Sequence, residues 1–379
     1  MIAAAKPIDL GAADAARVGT RSAGEPRVWV LLGKGAGGNA QMIALADALG
    51  WPYETKHVEY NAFNLCPNLL LGSRSISLRR ARCSSLRPPW PDLVIGASRR
   101  SAPIARWIKK RSAGKSRLVH LLHAQAPLHH FDLIITLPQY RLPDRPNVLH
   151  LAGPLNRIDP RRLEQAAARW AARLRDLPRP LIALLVGGNS SSYTLDAVTA
   201  CRLGRQASDH ARKAGGALLI TTSPRTPQEA VQELFEAVDC PAYRHAWRAQ
   251  DPDNPYLGFL QLADCFIVTA DSASLVIEAC GTGKPVAVFD WRSRHRRDHH
   301  AGGGRLLSVQ RGWRRKVFNR LVYWGLIKPA RDFTAYYRVL EEHGLISAFG
   351  QERMSRARRP LDDMERAVAR IRELMSAER

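Results

Sequence analysis

The amino-acid sequence predicts an α/β protein with two Rossmann-like domains, each a doubly wound parallel sheet. Apolar runs of four to eight residues, typical of strands buried on both faces, alternate with segments of helical period along most of the chain. The clearest example is the segment 263–290, where two such runs flank a short helix. A length of 379 residues exceeds one compact core, so the sequence predicts two domains.

The first predicted domain covers residues 27–153. It follows a tail, residues 1–26, whose Ala- and Gly-rich composition favours disorder. Strands are predicted at residues 28–32, 55–58, 92–96, 118–122 and 131–137, and helices at residues 41–49 and 102–110. Because strands and helices alternate, we expect at least five βα units in this domain.

The second predicted domain covers residues 154–300, and a Pro-rich passage at residues 138–160 indicates a hinge before it. Its strands are predicted at residues 181–186, 217–221, 265–269 and 285–289, and its helices at residues 161–174, 195–215 and 274–279. Residues 301–379 are predicted to form a basic, amphipathic and helical region.

The charge balance is the least ordinary property of the sequence. The 57 Lys and Arg residues outnumber the 34 Asp and Glu residues and give a net charge of +23, which favours anionic membranes, nucleic acid or phosphorylated substrates as partners. We expect neither a membrane span, which needs about 20 apolar residues, nor a secretory signal. Scattered cysteines without C-x-x-C spacing favour reduced thiols in the cytoplasm.

A glycine-rich turn, G-K-G-A-G-G-N-A-Q, follows the first predicted strand at residues 33–41. Glycines between a strand and a helix let the backbone approach a ligand closely, and the N-terminus of the helix favours an anion. The turn has neither the Gly-Lys-Ser/Thr end of a Walker loop nor the G-x-G-x-x-G spacing of a dinucleotide fold. Two interpretations stay open, a ligand-binding loop and a tight turn without a ligand.

Turns at strand ends in the second domain carry groups suited to a nucleoside diphosphate. G-G-N-S follows the strand 181–186, and T-S-P-R-T-P follows the strand 217–221. Within the latter, Arg225 could neutralise a departing diphosphate. Glu278, one helical turn beyond Ser274, could accept two hydrogen bonds from a ribose diol.

Other polar residues admit both a catalytic and a structural interpretation. His123 follows a predicted strand and could act as a base near neutral pH, although a lone histidine is more often structural. Asp132 fits a sheet-end cap better than a catalyst, and Arg99 and Arg100 face either an acidic acceptor or solvent. D-P-D at residues 251–253 matches a metal motif, but no strand precedes it, so it is predicted to be a turn and no metal site is expected.

A basic segment beyond residue 290 predicts a membrane contact. Trp313, Val317, Leu321 and Trp324 share one face of a predicted helix, and basic residues beside Trp and Leu are typical of a helix lying in a membrane interface. The predicted contact residues are Arg311, Trp313, Arg314, Arg315, Lys316 and Trp324. The alternative is a helix docked on the protein's own core.

The pattern D-S-x-S-x-x-x-E-A-x-x-x-G-K-P-V, beginning at Asp271, resembles the donor-binding segment of GT-B glycosyltransferases. It is more similar still to the "elongated mitochondria" family of mitochondrial-fission proteins, which has bacterial homologues. The resemblance extends to G-K-G-A-G-G-N-A-Q, G-G-N-S, T-S-P-R-T-P and N-P-Y at residues 254–256, in this order. Together these motifs span residues 27–291.

The resemblance implies a GT-B-like arrangement, with two domains facing a cleft and residues 301–379 packing back on the first. It implies donor binding by Gly187, Gly188, Asn189, Ser190, Arg225, Asp271, Ser272, Ser274 and Glu278. It implies an acceptor-side loop made by Lys34, Gly35, Gly37, Gly38, Asn39 and Gln41. Arg225 and His123 are the expected catalytic residues. Asn39 stands where the related lipid II transferase has a histidine, so a catalytic base is missing at this position.

We therefore expect a metal-independent glycosyltransferase without a cofactor, peripheral to the inner membrane on its cytoplasmic face. It would move a sugar from a nucleoside-diphosphate sugar to a lipid-linked or envelope glycan acceptor. A non-catalytic, membrane-associated adaptor of the fission family is the first alternative. A nucleic-acid-binding protein is the second, but it rests on charge alone because no helix-turn-helix, OB or RRM signature is present.

Overall fold

The computed structural model describes residues 24–155, 159–190, 193–291, 313–327, 329, 332–351 and 362–376. The chain divides into two compact units. The first contains the described residues within Met1–Leu155, Gln310–Tyr336 and Asp362–Arg379, and the second contains those within Asn156–Val309 and Tyr337–Leu361. Each unit holds a six-stranded sheet with all strands parallel, which confirms the predicted α/β class.

The first unit is built on a sheet with the strand order β2-β1-β3-β4-β5-β6. Its strands are β1 Val28–Leu32, β2 Tyr53–His57, β3 Leu93–Ala97, β4 Arg117–Leu121, β5 Leu133–Thr136 and β6 Val148–His150. Its main helices are α1 Ala36–Leu49 and α3 Ser98–Arg111, with the short α2 Asn68–Leu71 between β2 and β3. From β1 the chain continues to β2 on one side of it and then to β3 on the other side. The carboxyl ends of β1 and β3 therefore form a topological switch point, the place where ligands bind in such sheets.

The helix α1 illustrates how the sequence produces this layer. Met42, Leu45 and Leu49 recur at intervals of three and four residues and are buried against the sheet. The helix ends at Gly50, which adopts the left-handed conformation that glycine tolerates without strain. One apolar helix face thus covers a sheet of buried strands such as β1 and β3.

The second unit has the strand order β12-β11-β10-β7-β8-β9. Its strands are β7 Leu181–Leu185, β8 Ala217–Thr221, β9 Ala242–His245, β10 Cys265–Thr269, β11 Val286–Phe289 and β12 Ser347–Ala348. Its helices include α4 Pro160–Leu174, α5 Ala197–Lys213, α6 Gln228–Glu236, α7 Tyr256–Leu262 and α8 Ala273–Cys280. The switch point of this sheet lies between β7 and β10.

The C-terminal part of the chain contributes to both units. The helices α9 Trp313–Tyr323 and α11 Asp363–Ser376 belong to the first unit, whereas β12 pairs with β11 in the second. The helix α10, Phe333–Glu342, is divided between the units: its residues up to Tyr336 belong to the first, and those from Tyr337 onward belong to the second. The structure therefore differs from the predicted arrangement, in which all of residues 301–379 pack on the first domain.

Several element boundaries also differ from the prediction. The helix α1 begins at Ala36 rather than at residue 41, so Gly37 and Gly38 lie inside its first turns. The strand β6 lies within the Pro-rich passage predicted as a hinge. Of the predicted tail, residues 1–26, residues 1–23 lie outside the described residues. Over the part of the chain that the structure describes, no helix has the length and apolar character needed to cross a bilayer.

Candidate functional site

Three strand-end turns meet at the switch point of the second unit. Gly187 and Gly188 come two residues after β7, T-S-P-R-T-P follows β8, and Asp271 follows β10. The backbone N–H of Gly188 donates to Asp271 Oδ2 at 2.8 Å, and that of Gly187 donates to Thr269 Oγ1 at 2.7 Å. The turns after β7 and β10 are therefore joined by direct hydrogen bonds.

Asp271 is the buried centre of this arrangement. Its side chain has no exposed surface, and Arg225 Nη2 lies 2.9 Å from its Oδ2. Burial raises the pKa of the Asp271 carboxyl, while Arg225 and the hydrogen bonds to the carboxylate counteract that rise. The sequence predicts Asp271 as a donor-binding residue, and the structure places its buried carboxylate in contact with Gly188 and Arg225.

The turn after β8 is fastened to the glycine turn by its hydroxyl groups. Ser223 Oγ donates to the carbonyl oxygen of Gly187 at 2.5 Å, and Thr226 Oγ1 donates to the same oxygen. The N–H of Asn189 donates to the carbonyl of Arg225 at 2.9 Å. Sequence reasoning did not single out these two hydroxyl residues, although both lie in the quoted T-S-P-R-T-P motif.

Arg225, in the turn after β8, is a partly exposed cation that contacts the neighbouring loops. Its Nη1 donates to the carbonyl oxygen of Asn189 at 3.2 Å, its Nη2 faces Asp271, and its side chain is 40% exposed. Two fixed contacts restrict its rotamer, while the exposed part of the guanidinium is accessible to an anion. Asn189 contributes through its backbone, because its side-chain Oδ1 accepts from the N–H of Leu195 at 2.8 Å. Ser190, half-buried, donates its backbone N–H to the carbonyl of Tyr193 at 2.8 Å.

The helix α8 begins at this switch point and carries the remaining predicted residues. Ser272 is its N-cap residue, and Ser272 and Ser274 are both half-buried near its N-terminus. Glu278 Oε2 accepts a hydrogen bond from the hydroxyl of Tyr256 on α7. Burial and the charge of Glu278 raise the pKa of Tyr256 well above its ordinary value, so the phenol stays protonated and orients the carboxylate. Tyr256 belongs to the N-P-Y motif, the signal by which it could have been found.

In the first unit, the predicted acceptor-side loop is closed by its own asparagine. Asn39 Oδ1 accepts from the N–H of Gly33 at 3.1 Å, and Asn39 Nδ2 donates to the carbonyl of Gly33 at 2.7 Å. Gln41 is buried and donates to the carbonyl of Gly37 at 3.2 Å. Both amide side chains thus hold the loop, whereas Lys34 and Gly35 are exposed.

A cavity of about 260 Å³ lies at the switch point of the first unit. Its lining includes Lys34, Ser98, Arg100, His123 and Tyr140. Ser98 begins α3 with a φ of +62°, a conformation that non-glycine residues seldom adopt. The cavity therefore brings the predicted acceptor-side loop and His123 together.

His123 has a geometry that argues against the predicted role of a base. It is buried, and its Nδ1 accepts a hydrogen bond from the N–H of Gln125 at 2.9 Å. In the neutral ring the proton is then on Nε2, which can donate but has no lone pair for abstracting a proton. The neighbouring His120 is fully buried beside the carbonyl of Ser98, and burial lowers its pKa to about 4, so His120 is neutral near pH 7.

Three other polar residues have structural roles, and a fourth, Arg100, does not. Asp132 contacts Lys109 Nζ at 2.7 Å and the N–H of Leu118 at 2.7 Å, which agrees with its prediction as a sheet-end cap. Arg99 Nη1 donates to the carbonyl of Cys66 at 2.9 Å, whereas Arg100 is exposed. Asp251 Oδ1 accepts from the N–H of Asp253 at 2.9 Å, as expected for the predicted turn. Within the described ranges, no three His, Cys, Asp or Glu residues are grouped so that they could hold a metal.

The predicted membrane helix, α9, has one docked face and one exposed face. Phe318, Val322 and Tyr323 pack on the core of the first unit, whereas Val317 and Trp324 are each 46% exposed. Lys316 is exposed as well. Of the other predicted contact residues, Arg311 lies outside the described residues, as do the side chains of Trp313, Arg314 and Arg315.

The fold and the loops define a class: a two-unit α/β protein with a fixed arginine and a helix N-terminus at the switch point of its second sheet. The chain belongs to the mitochondrial fission ELM1 family, whose sequence model matches residues 36–310. It is 31% identical over 223 residues to the mitochondrial fission protein ELM1 of Arabidopsis thaliana, covering 52% of this chain and 51% of that protein. It thus spans about half the length of that relative.

A second relative is the uncharacterized protein RP120 of Rickettsia prowazekii, which is 26% identical over 303 residues, 69% of this chain and 82% of that protein. Among solved structures, a glycosyltransferase from Rickettsia africae covers 94% of this chain and 100% of its own, with 12% identity and a TM-score of 0.45. MurG of Acinetobacter baumannii covers 92% and 90%, with 14% identity and a TM-score of 0.42.

Proposed function

We propose that the protein is a metal-independent glycosyltransferase that takes its sugar from a nucleoside-diphosphate sugar bound to the second unit. The observation that carries this proposal is Arg225, held by Asp271 and Asn189 with its guanidinium partly exposed beside the start of α8. A fixed cation and the N-terminal N–H groups of a helix are suited to a diphosphate.

In this proposal the diphosphate contacts Arg225 and the N-terminus of α8, and Glu278 binds the ribose. Tyr256 fixes the Glu278 carboxylate before the ligand arrives, which lowers the cost of ordering it on binding. As the bond between sugar and diphosphate breaks, negative charge grows on the leaving group, and Arg225 stabilises that charge without a metal ion.

The proposal also concerns the acceptor and the location of the protein. We infer a lipid-linked or envelope glycan and a position at the cytoplasmic face of the inner membrane, supported by the net charge of +23 and by the exposed Val317 of α9 and Trp324 directly after it. The cavity beside Lys34 and Arg100 in the first unit offers positive charge to such an acceptor.

A non-catalytic adaptor is the second candidate function. Two observations favour it: Asn39 serves to close its own loop, and Nδ1 of His123 is occupied as an acceptor, so neither provides a base. The family description, mitochondrial fission, is compatible with a retained nucleotide-sugar site in an adaptor. A nucleic-acid-binding function rests on the net charge alone.

Titration of nucleoside diphosphates and their sugars, followed by melting temperature and calorimetry, tests the proposal. A ligand at a hundredfold excess over its Kd should stabilise the wild type by about 2.7 kcal/mol. Glu278→Gln should weaken binding roughly 10- to 100-fold, because charge-assisted hydrogen bonds contribute about 1.5–3 kcal/mol. Glu229→Gln, an exposed glutamate on α6, is the matched control and should bind normally.

An assay of sugar transfer from each donor that binds separates the two candidate functions. Sugar transfer from a bound donor supports the transferase, and binding without transfer to any glycan or lipid acceptor supports the adaptor. If no nucleotide shifts the melting temperature, or if Glu278→Gln binds as tightly as the wild type, the proposed donor site is wrong.

A further inference from the structure

The connection between β2 and β3 contains a closed loop on the first unit, residues 60–78. A bridge between Tyr60 and Leu78 and a hydrogen bond from the N–H of Asn61 to the carbonyl of Ser77, 2.9 Å long, bring its ends together. Within the loop are a single 3₁₀ turn at Ala62–Leu65 and the helix α2. We call it the 60–78 loop.

The 60–78 loop is inverted in polarity. Leu71 and Leu78 are buried, but five of its large apolar side chains are half or more exposed: Leu65 (81%), Leu70 (68%), Phe63, Leu69 and Ile76. Four of its amide and hydroxyl residues are buried instead: Asn64, Asn68, Ser75 and Ser77. Scattered exposed apolar residues are ordinary on a protein surface, but five within fourteen consecutive positions, with polar residues buried beneath them, indicate an interaction surface.

Hydrogen bonds hold the loop in this conformation. Asn68 Nδ2 donates to the carbonyls of Arg99 and Ala124 at 2.7 and 2.8 Å. The guanidinium of Arg99 returns to the loop and donates to the carbonyls of Asn64 and Cys66. Asn61 Nδ2 donates to the carbonyl of Ile76 at 2.8 Å. Because these contacts fix the backbone, the apolar side chains cannot turn inward without breaking buried hydrogen bonds.

The charge around the loop is mainly positive, although Glu59, just before the loop, pairs with Arg79 and Arg82 at 3.5 and 3.4 Å. Between residues 60 and 91 the sequence has no Asp or Glu and contains Arg74, Arg79, Arg80, Arg82 and Arg87. Ile76 lies in a surface groove with Arg74, Arg80, Lys110 and Arg111. Exposed apolar side chains surrounded by Arg and Lys are complementary to a bilayer. The apolar side chains can enter its hydrocarbon interior, and the basic residues can bind its anionic headgroups.

We propose that the 60–78 loop is a membrane-insertion surface that embeds Phe63, Leu65 and Leu70 in a bilayer containing anionic lipid. Five apolar residues are far fewer than the roughly 20–30 residues per side of a stable protein interface, and their basic surroundings favour lipid over a second copy of this chain. The proposal concerns residues outside α9 and does not depend on sugar transfer.

The loop and the end of α9 contact the same segment of the first unit. Asn68 bonds to Ala124, and the backbone at Gly325 lies so close to Ala126 that a Cβ on this glycine would come within 2.7 Å of it. Trp324 packs its ring against His129 at 5.0 Å between centroids. The loop therefore adds to the predicted contact of α9 instead of replacing it.

Flotation of the full chain with vesicles tests the proposal, using phosphatidylcholine alone and phosphatidylcholine with one third phosphatidylglycerol. Leu65→Ser combined with Leu70→Ser should lower partition onto the mixed vesicles about tenfold or more, at low and at high salt, because apolar burial is not screened. Arg74→Ser combined with Arg80→Ser should lower it severalfold at low salt and little at high salt. Val198→Ser, at a 79% exposed apolar position on α5 of the second unit, is the matched control and should not change partition.

Three results would overturn the proposal. One is unchanged partition of the Leu65/Leu70 variant at a wild-type melting temperature. Another is complete loss of partition in Trp324→Ala with normal partition in the well-folded Leu65/Leu70 variant, which would assign the whole contact to α9 and the residue that follows it. The third is a wild-type dimer that the Leu65/Leu70 variant converts to a monomer while vesicle binding stays the same. If the double variant melts early, the single change Leu65→Ser at the most exposed site replaces it. Nucleotide binding, followed in parallel, reports on the donor site independently.

Discussion

Gly187 and Gly188 lack side chains because neighbouring loops occupy the space beside them. A Cβ on Gly187 would lie 2.2 Å from Asp271 Oδ2, and one on Gly188 would lie 2.2 Å from the carbonyl oxygen of Arg225. Real Cβ atoms do not approach other atoms this closely, so the three turns can meet only if both positions are glycine. The glycine-rich turn therefore serves close contact between protein loops, and any approach to a ligand depends on that contact.

Gly187→Ala should consequently destabilise the second unit and displace Asp271. Overpacking in a rigid environment costs about 1–3 kcal/mol, which corresponds to a fall of several degrees in melting temperature. Gly35→Ala is the control, since a Cβ at Gly35 would meet no atom within 4 Å. Equal melting temperatures for the two variants would contradict the close packing at Gly187.

The ion pair between Arg225 and Asp271 predicts a pH-dependent stability. Because burial raises the folded-state pKa of Asp271 above its unfolded value of about 3.9, the stabilising contribution of this group is present in acid and is lost as pH rises through the folded pKa. Arg225→Gln removes the opposing charge, so the folded pKa should rise further and the loss should extend to higher pH.

The destabilisation caused by Arg225→Gln should therefore be largest near neutral pH and shrink as the pH falls through the folded-state pKa of Asp271. Denaturant unfolding at several pH values measures it, and Arg205→Gln, an exposed arginine on α5, provides the control. A loss of stability that is the same at every pH would show that Arg225 does not act on Asp271.

At the scale of single residues, the sequence motifs indicated which turns matter but not which side chains face outward. D-S after a strand reads as a polar turn, and nothing in the local pattern reveals that Asp271 is fully buried while Arg225, 46 positions earlier, lies partly exposed above it. The partner of Glu278, Tyr256, comes from another helix 22 positions away. Such pairings are set by tertiary packing, which periodicity does not encode.

Among the elements, the 60–78 loop depends on polar anchors more than on an apolar core. Asn68→Leu should loosen it, because removal of the amide leaves the carbonyls of Arg99 and Ala124 without a donor from this residue and costs about 1–3 kcal/mol. Amide hydrogen exchange within residues 61–78 should accelerate.

The substitution Leu69→Asn, at the adjacent and exposed position, replaces an apolar residue with a polar one. It should leave amide hydrogen exchange in the loop unaltered. An undisturbed loop in Asn68→Leu would mean that the Arg99 contacts alone suffice to hold it. A disturbed loop in Leu69→Asn would mean that the apolar side chain is part of the fold.

Continuous apolar strands were predictable from sequence, and the two shortest strands were not. The continuous runs that form β1, β7, β8 and β10 were all predicted within a residue or two. In contrast, β6 has three residues between prolines, and β12 has two, so each is held by its neighbour in the sheet and not by its own pattern. The start of α1 was missed because glycines normally disfavour a helix, yet Gly37 and Gly38 lie in its first turns.

For the whole molecule, composition predicted two units of alternating strands and helices, and the structure has them. The division of the last part of the chain between the units was not predictable, since α9, α10 and α11 all show ordinary amphipathic patterns. Which sheet each helix covers depends on complementary surfaces elsewhere, such as the first-unit core that receives Val322, Ala367 and Ile371.

The position of α11 has a consequence for biosynthesis. Every strand of the first sheet has left the ribosome's catalytic centre by residue 150, but Ala367 and Ile371, which complete that core, are more than 200 residues further along the chain. At about 5–20 residues per second, roughly 10–40 s of translation separate the two. The nascent chain therefore carries an uncovered apolar surface on its first unit throughout synthesis of the second, and the unit that is made first is the last to close.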